Sequence, residues 1–262
     1  MIVSLPMYDP PGLHALTDRL WAAIRAHLVE TIPEAPQHLT RGAEPWDHWH
    51  SPDLLLSQTC GLPYRARLHG HVTLVATPLH GGPVTDTDQP CVAPPLPDGH
   101  YRSLFVCASD DRRSLADLCT TGTLAYNEAL SQSGWAAPTA HLADRGLAPG
   151  ATLRTGGHVA SLRAVATGQA DFACVDMITL HIAERQSPAL MQALRVMGHT
   201  CPTPALPYIT ARGRDPAPIA AALAKGIAAL SQADRDTIAL HGVTQISERA
   251  YCALPIPAPP DA

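Results

Sequence analysis

An α/β fold around a largely parallel sheet is predicted, and two observations carry the prediction. Short apolar runs alternate with longer segments of helical period, as strand–loop–helix units do. Polar loops rich in Ser, Thr and Gly follow several of those runs, where open α/β sheets bind ligands. The 262 residues suffice for one large domain or two lobes. Hydrophobic residues make up 46% and charged ones 16%, which suits a globular protein with a substantial core.

The elements follow in order. Ile2–Leu5 reads as a buried strand stopped by Pro6. The loop Met7–Gly12 places Tyr8 either against a ligand or packed at the domain edge. Leu13, Leu16, Leu20, Ile24 and Leu28 then recur at helical spacing. Residues 37–40 form a weak strand candidate, and residues 46–49 a helical turn. Residues 53–56 form a short strand, followed by Ser57-Gln58-Thr59-Cys60-Gly61, a loop that offers donors or satisfies its own hydroxyls. Residues 72–77 form a β-branched strand. From Pro78 to Gly99 the pattern becomes a Pro-, Gly- and Asp-rich loop or flap.

Tyr101–Ala108 is a strong strand, and Ser114 caps a short helix over 115–118. Thr123–Ala125 is a strand that leads into Asn127-Glu128-Ala129-Leu130-Ser131-Gln132-Ser133-Gly134 and a helical pattern over 135–145. A helix start carries unpaired N–H groups and the positive end of the dipole, so hydroxyls at Ser131 and Ser133 make an anion site there. Gly134 lets a ligand approach the backbone. A plain Ser N-cap is the alternative. Residues 150–155 suggest another strand, and Gly156-Gly157-His158 opens a helix. Phe172–Val175 is a buried strand ending at Asp176, followed by a helix over 177–184. Strands over 194–197 and 206–210 and helices over 216–230 and 234–240 complete the chain. Residues 255–262 are Pro-rich and expected to fray.

Several function classes are excluded or disfavoured. The net charge is −5 with basic residues scattered singly, which leaves no stripe for nucleic acid or an anionic membrane surface. The seven cysteines are dispersed without a C-x-x-C pair, against a zinc site or disulfide framework. His48 and His50 lack a nearby third ligand, so no metal and no cofactor is expected. No run of ~18 apolar residues exists, so no membrane span is expected. Residues 1–6 carry no basic n-region, apolar h-region or cleavage site, which reads as cytoplasmic as written; a start upstream of Met1 would make the chain periplasmic.

The polar loops carry a resemblance. Tyr101-Arg102-Ser103, the run Asp110–Leu118, Asn127-Glu128 with Ser131-x-Ser133-Gly134, and Gly157-His158-x-x-Ser161-Leu162 running to Asp176 resemble the substrate-binding proteins of phosphate/phosphonate ABC transporters, the PhnD-like group. Met7-Tyr8-Asp9 and Ser57-Gln58 look like that family's first-lobe contacts. The resemblance implies a two-lobe type 2 periplasmic-binding-protein fold with mixed, mostly parallel sheets and a ligand cleft between lobes. Residues 1–100 and 200–262 would form one lobe and 101–199 the other. It also implies a small oxyanion ligand such as phosphate or phosphonate, and an ABC transporter permease as partner. Ligand contacts would come from Tyr8, Ser57, Gln58, Thr59, Tyr101, Ser103, Asn127, Ser131, Ser133, Gly134, His158 and Asp176. The alternative is a cytosolic enzyme on the same fold, of the menaquinone or thiamine-pyrimidine type, with His158 and Asp176 as acid and base. No nucleophile–base spacing marks such chemistry. A ligand sensor acting through a partner protein is a third reading.

Overall fold

A computed structural model describes residues 1–81 and 96–260. The chain divides into two units: unit 1 is Met1–Gly82 with Pro204–Leu254, and unit 2 is Pro83–Thr203 with Pro255–Ala262. The loop expected over 78–99 therefore falls mostly outside the described residues. Unit 1 holds strands β1 (Ile2–Ser4), β2 (Leu54–Gln58), β3 (Val72–His80), β11 (Tyr208–Ala211) and β12 (Leu240–Thr244). Unit 2 holds β5 (Ser103–Ala108), β6 (Thr123–Tyr126), β7 (Ala151–Arg154), β8 (Phe172–Asp176) and β9 (Leu194–His199). Strands β4 (His100–Tyr101) and β10 (Thr203–Pro204) have two residues each and lie outside both sheets.

The sheet of unit 1 has the order β1-β2-β11-β3-β12. β1 and β2 pair in parallel, β11 is antiparallel to β2 and β3, and β12 is antiparallel to β3. β1, β2 and β3 thus share a direction. Every residue of β2 is buried, as expected of a central strand covered on both faces. β2 also runs two residues past the expected end. Gln58 and Ser57 pair with Tyr208 and Ile209, so both belong to the strand and not to a loop. β3 likewise continues through Pro78 to His80, because β12 pairs with residues 77–80. Residues 37–40 form no strand; Thr40 N–H donates to Val3 O at 2.7 Å.

β12 occupies part of the segment expected to be helical. The helix there covers only Gln232–Thr237, and Ala239 then adopts a φ of +49°, which turns the chain out of the helix and into the strand. A short helix at Gly61–Pro63 running into a wide turn at Tyr64–Leu68 was not anticipated either. The helices His14–Leu28 and Ala217–Ala229 pack against each other at close range. A Cβ built on Gly226 would lie 2.6 Å from both the N and the Cα of Ile24.

The sheet of unit 2 has the order β7-β6-β8-β5-β9. β7, β6 and β8 are parallel, while β5 is antiparallel to β8 and β9, so four of the five strands share a direction. Phe105, Leu124, Tyr126, Trp135, Phe172 and Cys174 build its core. Cys107 and Cys174 are fully buried, and burial pushes both thiols up. Ser114 caps its helix as expected, with Asp117 closing a capping box. The Pro-rich end is not frayed where described. The Trp135 indole donates to Ala258 O at 2.8 Å, which attaches residues 255–260 to unit 2 and not to the first lobe. Among the described residues no helix is long and apolar enough to cross a membrane.

One pH effect follows from this core. The His141 ring packs on Phe105 with centroids 5.2 Å apart; burial, then neighbouring Arg145 and His199, lower its pKa to about 4. Its neutral form is the folded form, so its stability contribution is complete above the ordinary value near 6.5 and is lost as pH falls toward about 4. Melts between pH 7 and 4 should show a loss of about 1–2 kcal/mol from this ring, after discounting for solvent screening. A His141→Leu chain that keeps the whole slope would refute the assignment.

Candidate functional site

In unit 2, β7, β6 and β8 lie side by side and point the same way, so their carboxyl ends present three loops at one sheet edge. The loop after β6 runs through Asn127 to Ser131, which opens a wide turn over Gln132–Ala136 and then the helix Ala137–Ala143. Ser131 Oγ accepts from Gly134 N–H at 2.9 Å, and Ser131 O accepts from Ala136 N–H at 2.9 Å. The latter spans five residues, so the first turn is wider than an α-turn, a form that recurs at functional sites. A Cβ at Gly134 would lie 2.0 Å from Asn127 Oδ1. That oxygen is buried without a hydrogen-bond partner among the described residues.

The loop after β7 is tied to this one. Thr155 N–H donates to Tyr126 O at 2.9 Å, and Gly156 N–H to Asn127 O at 3.0 Å. His158 is therefore held at the first turn of the helix His158–Ala166, with its Nε2 2.8 Å from Ser133 Oγ. The same Nε2 lies 3.5 Å from Asp176 Oδ2, at the last residue of β8. Asp176 caps the helix Met177–Gln186: Oδ1 accepts from Ile178 and Thr179 N–H at 3.0 and 2.8 Å, and Oδ2 from the Thr179 hydroxyl at 2.5 Å.

Burial lowers the His158 pKa, and Asp176 opposes that shift. Burial dominates, so the ring is neutral near pH 7. The carboxylate favours the tautomer with hydrogen on Nε2. His158 Nδ1 is buried without a partner among the described residues. The arrangement offers hydroxyls, an imidazole N–H and a helix start, a donor set suited to an oxyanion without a cation.

Sequence and structure agree on this group to the extent that Asn127, Ser131, Ser133, Gly134, His158 and Asp176 come together. Ser103 stands opposite Asp176 in the β5–β8 register, with its N–H donating to Thr200 Oγ1 at 3.1 Å. Tyr101 is buried. In unit 1, Tyr8 lies edge-on to His80 with centroids 6.1 Å apart. Its loop is pinned by Asp9, which accepts from Thr17 Oγ1 at 2.5 Å and from Arg41 Nε at 2.5 Å. Tyr8, Gln58 and His80 share one recess. Ser57 and Thr59 are fully buried. The Ser57 hydroxyl accepts from the Trp49 indole at 3.2 Å, and Thr59 Oγ1 donates to Cys60 O at 3.4 Å. His80 and Thr179 escaped the sequence reading. The carboxyl end of the strand opening at Val72 was the available signal for His80, but Pro78 masked it.

By sequence, no curated protein matches the chain. By structure, the chain is similar to the binding-protein component of an ABC phosphonate transporter from Pseudomonas aeruginosa, with a TM-score of 0.68, 12% identity, and coverage of 95% of this chain and 83% of that one. PhnD1 from Prochlorococcus marinus, solved with methylphosphonate, gives a TM-score of 0.66 at 14% identity, covering 95% and 94%. XAC2383 from Xanthomonas citri, solved with chloride, gives 0.65 at 14% identity, covering 95% and 92%. These likenesses show the type 2 periplasmic-binding fold. A family model described as "ABC transporter, phosphonate, periplasmic substrate-binding protein" matches residues 56–250, well over half of the sequence. The chain therefore belongs to the family of periplasmic substrate-binding proteins of phosphonate ABC transporters.

Proposed function

We propose that the protein binds a small phosphorus oxyanion, a phosphonate or phosphate, in the periplasm and delivers it to an ABC permease. The observation that carries this reading is the Ser133–His158–Asp176 contact at the carboxyl ends of adjacent parallel strands. Ser131, Ser133 and the backbone at Gly134 hold the anion, with Asn127 bracing the turn. His158 donates from Nε2. Asp176 receives a protonated oxygen or a cationic group of the solute and keeps His158 in its donor tautomer. Family membership supports the solute class, and the methylphosphonate bound to the Prochlorococcus protein supports phosphonates as the first probes.

Thermal shift against phosphate, phosphite, methylphosphonate, 2-aminoethylphosphonate, sulfate and several carboxylates tests the reading. A phosphorus oxyanion at ~100 times its Kd should add about 2.7 kcal/mol of stability. The Ser131→Ala/Ser133→Ala double variant should lose that shift. Stabilisation by carboxylates alone, with a substrate consumed by the wild type and spared by His158→Ala, would replace the reading with an enzyme.

A further inference from the structure

We infer that the Pro-rich segment 255–260 is an intramolecular strap, and that Trp135 is the positioning residue through which it holds the Gln132–Ala136 turn in shape. Trp135 belongs to that turn, next to Gly134 and two residues after Ser133. The backbone N–H groups of Trp135 and Ala136 both donate to Ser131 O, at 3.3 and 2.9 Å, and Trp135 O accepts from the Thr139 hydroxyl at 2.6 Å. The ring is buried against Tyr126, the last residue of β6, with centroids 5.3 Å apart. Its indole N–H donates to Ala258 O at 2.8 Å. One side chain thus joins the turn, the strand that leads into it and the strap, all within unit 2. So wide a turn is a rare form of backbone, and packing from outside it fixes its shape.

The strap has the build of a polyproline II helix. Residues 255–260 form neither helix nor strand, and proline fixes φ at 255, 257, 259 and 260. Leu254, Pro257 and Pro260 are half-buried, while the residues between them are exposed, Ile256 at 58%. That period of three is the period of polyproline II, which lays one edge on a surface. Pro257-Ala258-Pro259-Pro260 is a P-x-x-P run whose outer prolines are the half-buried ones. Such runs dock on aromatic side chains, and their preset backbone loses little entropy on docking. Trp135 and Tyr126 supply the aromatic pair here, and Trp135 also supplies the donor to the strap.

Amide hydrogen exchange of the free, full chain tests this without any ligand. The variant Pro257→Gly/Pro259→Gly/Pro260→Gly leaves Trp135 in place and makes the strap about tenfold or more harder to dock. The amides of Gly134, Trp135 and Ala136 should then exchange about tenfold faster, while those of β8 keep their rates. Trp135→Phe keeps a ring against Tyr126, loses the indole donor and should give the same pattern. The second readout rests on the oxyanion reading: both variants should bind methylphosphonate about tenfold more weakly by titration calorimetry. Unchanged exchange at residues 134–136, or an equal rise in β8, overturns the inference and leaves the oxyanion reading standing. Faster exchange with wild-type affinity for methylphosphonate in both variants overturns the positioning role of Trp135. If the wild type binds no phosphorus oxyanion, the oxyanion reading fails, and exchange alone decides the strap. Should Trp135→Phe fail to fold, the proline variant decides.

Discussion

Gly134→Ala should abolish oxyanion binding, with a fall in affinity of about 100-fold or more. The added Cβ would lie 2.0 Å from Asn127 Oδ1 and 3.2 Å from Ser131 Oγ. Asn127 Oδ1 is the buried end of a side chain on a backbone fixed by Gly156 N–H, and Ser131 Oγ accepts from Gly134 itself. At 2.0 Å the amide must leave its place or the turn that sets the Ser133 hydroxyl beside His158 must shift. The free protein should also lose about 1–3 kcal/mol, the usual cost of overpacking. Melting with and without methylphosphonate separates the two effects. Adding Asn127→Ala to the variant removes the clash and should recover stability. A Gly134→Ala protein that binds methylphosphonate like the wild type would show that the turn is not packed as described.

The second large effect is Gly226→Ala, where two opposing terms can be weighed. In an exposed helix interior this change gains about 1 kcal/mol. Here the new Cβ would meet the N, Cα and Cγ1 of Ile24, each at 2.6 Å, and two of those atoms are backbone. Backbone cannot rotate away, so the helices Ala217–Ala229 and His14–Leu28 must separate and open their shared core. The steric term wins, and the net loss should be about 2 kcal/mol or more. Denaturant midpoints read it directly, with ligand binding as an independent check on unit 2. A stabilised Gly226→Ala chain would mean that the helices are further apart than the geometry states.

Much of this was legible in the residues. Apolar runs bounded by Ser, Gly and Asp marked most strands, and helical spacing marked the helices His14–Leu28 and Ala217–Ala229. The grouping of Ser131, Ser133, His158 and Asp176 was legible because they stand at the carboxyl ends of three strands, β6, β7 and β8, and adjacent parallel strands deliver their ends to one edge. Other features stayed hidden for stated reasons. Ser57 read as a loop donor because β2 is buried throughout and shows no alternation to separate strand from loop. β12, Leu-His-Gly-Val-Thr, has weak strand character and forms because β3 offers it an open edge. The bond from Trp135 to Ala258 joins residues 123 positions apart, which no local pattern encodes.

The sequence by itself determined the class of fold, the family and the loops that bear the donors, because these depend on local period and residue chemistry. Only the tertiary structure decided what each of those side chains touches. Strand register turned Ser57 toward Trp49 and set Ser133, His158 and Asp176 within reach of one another, and register is a property of paired strands.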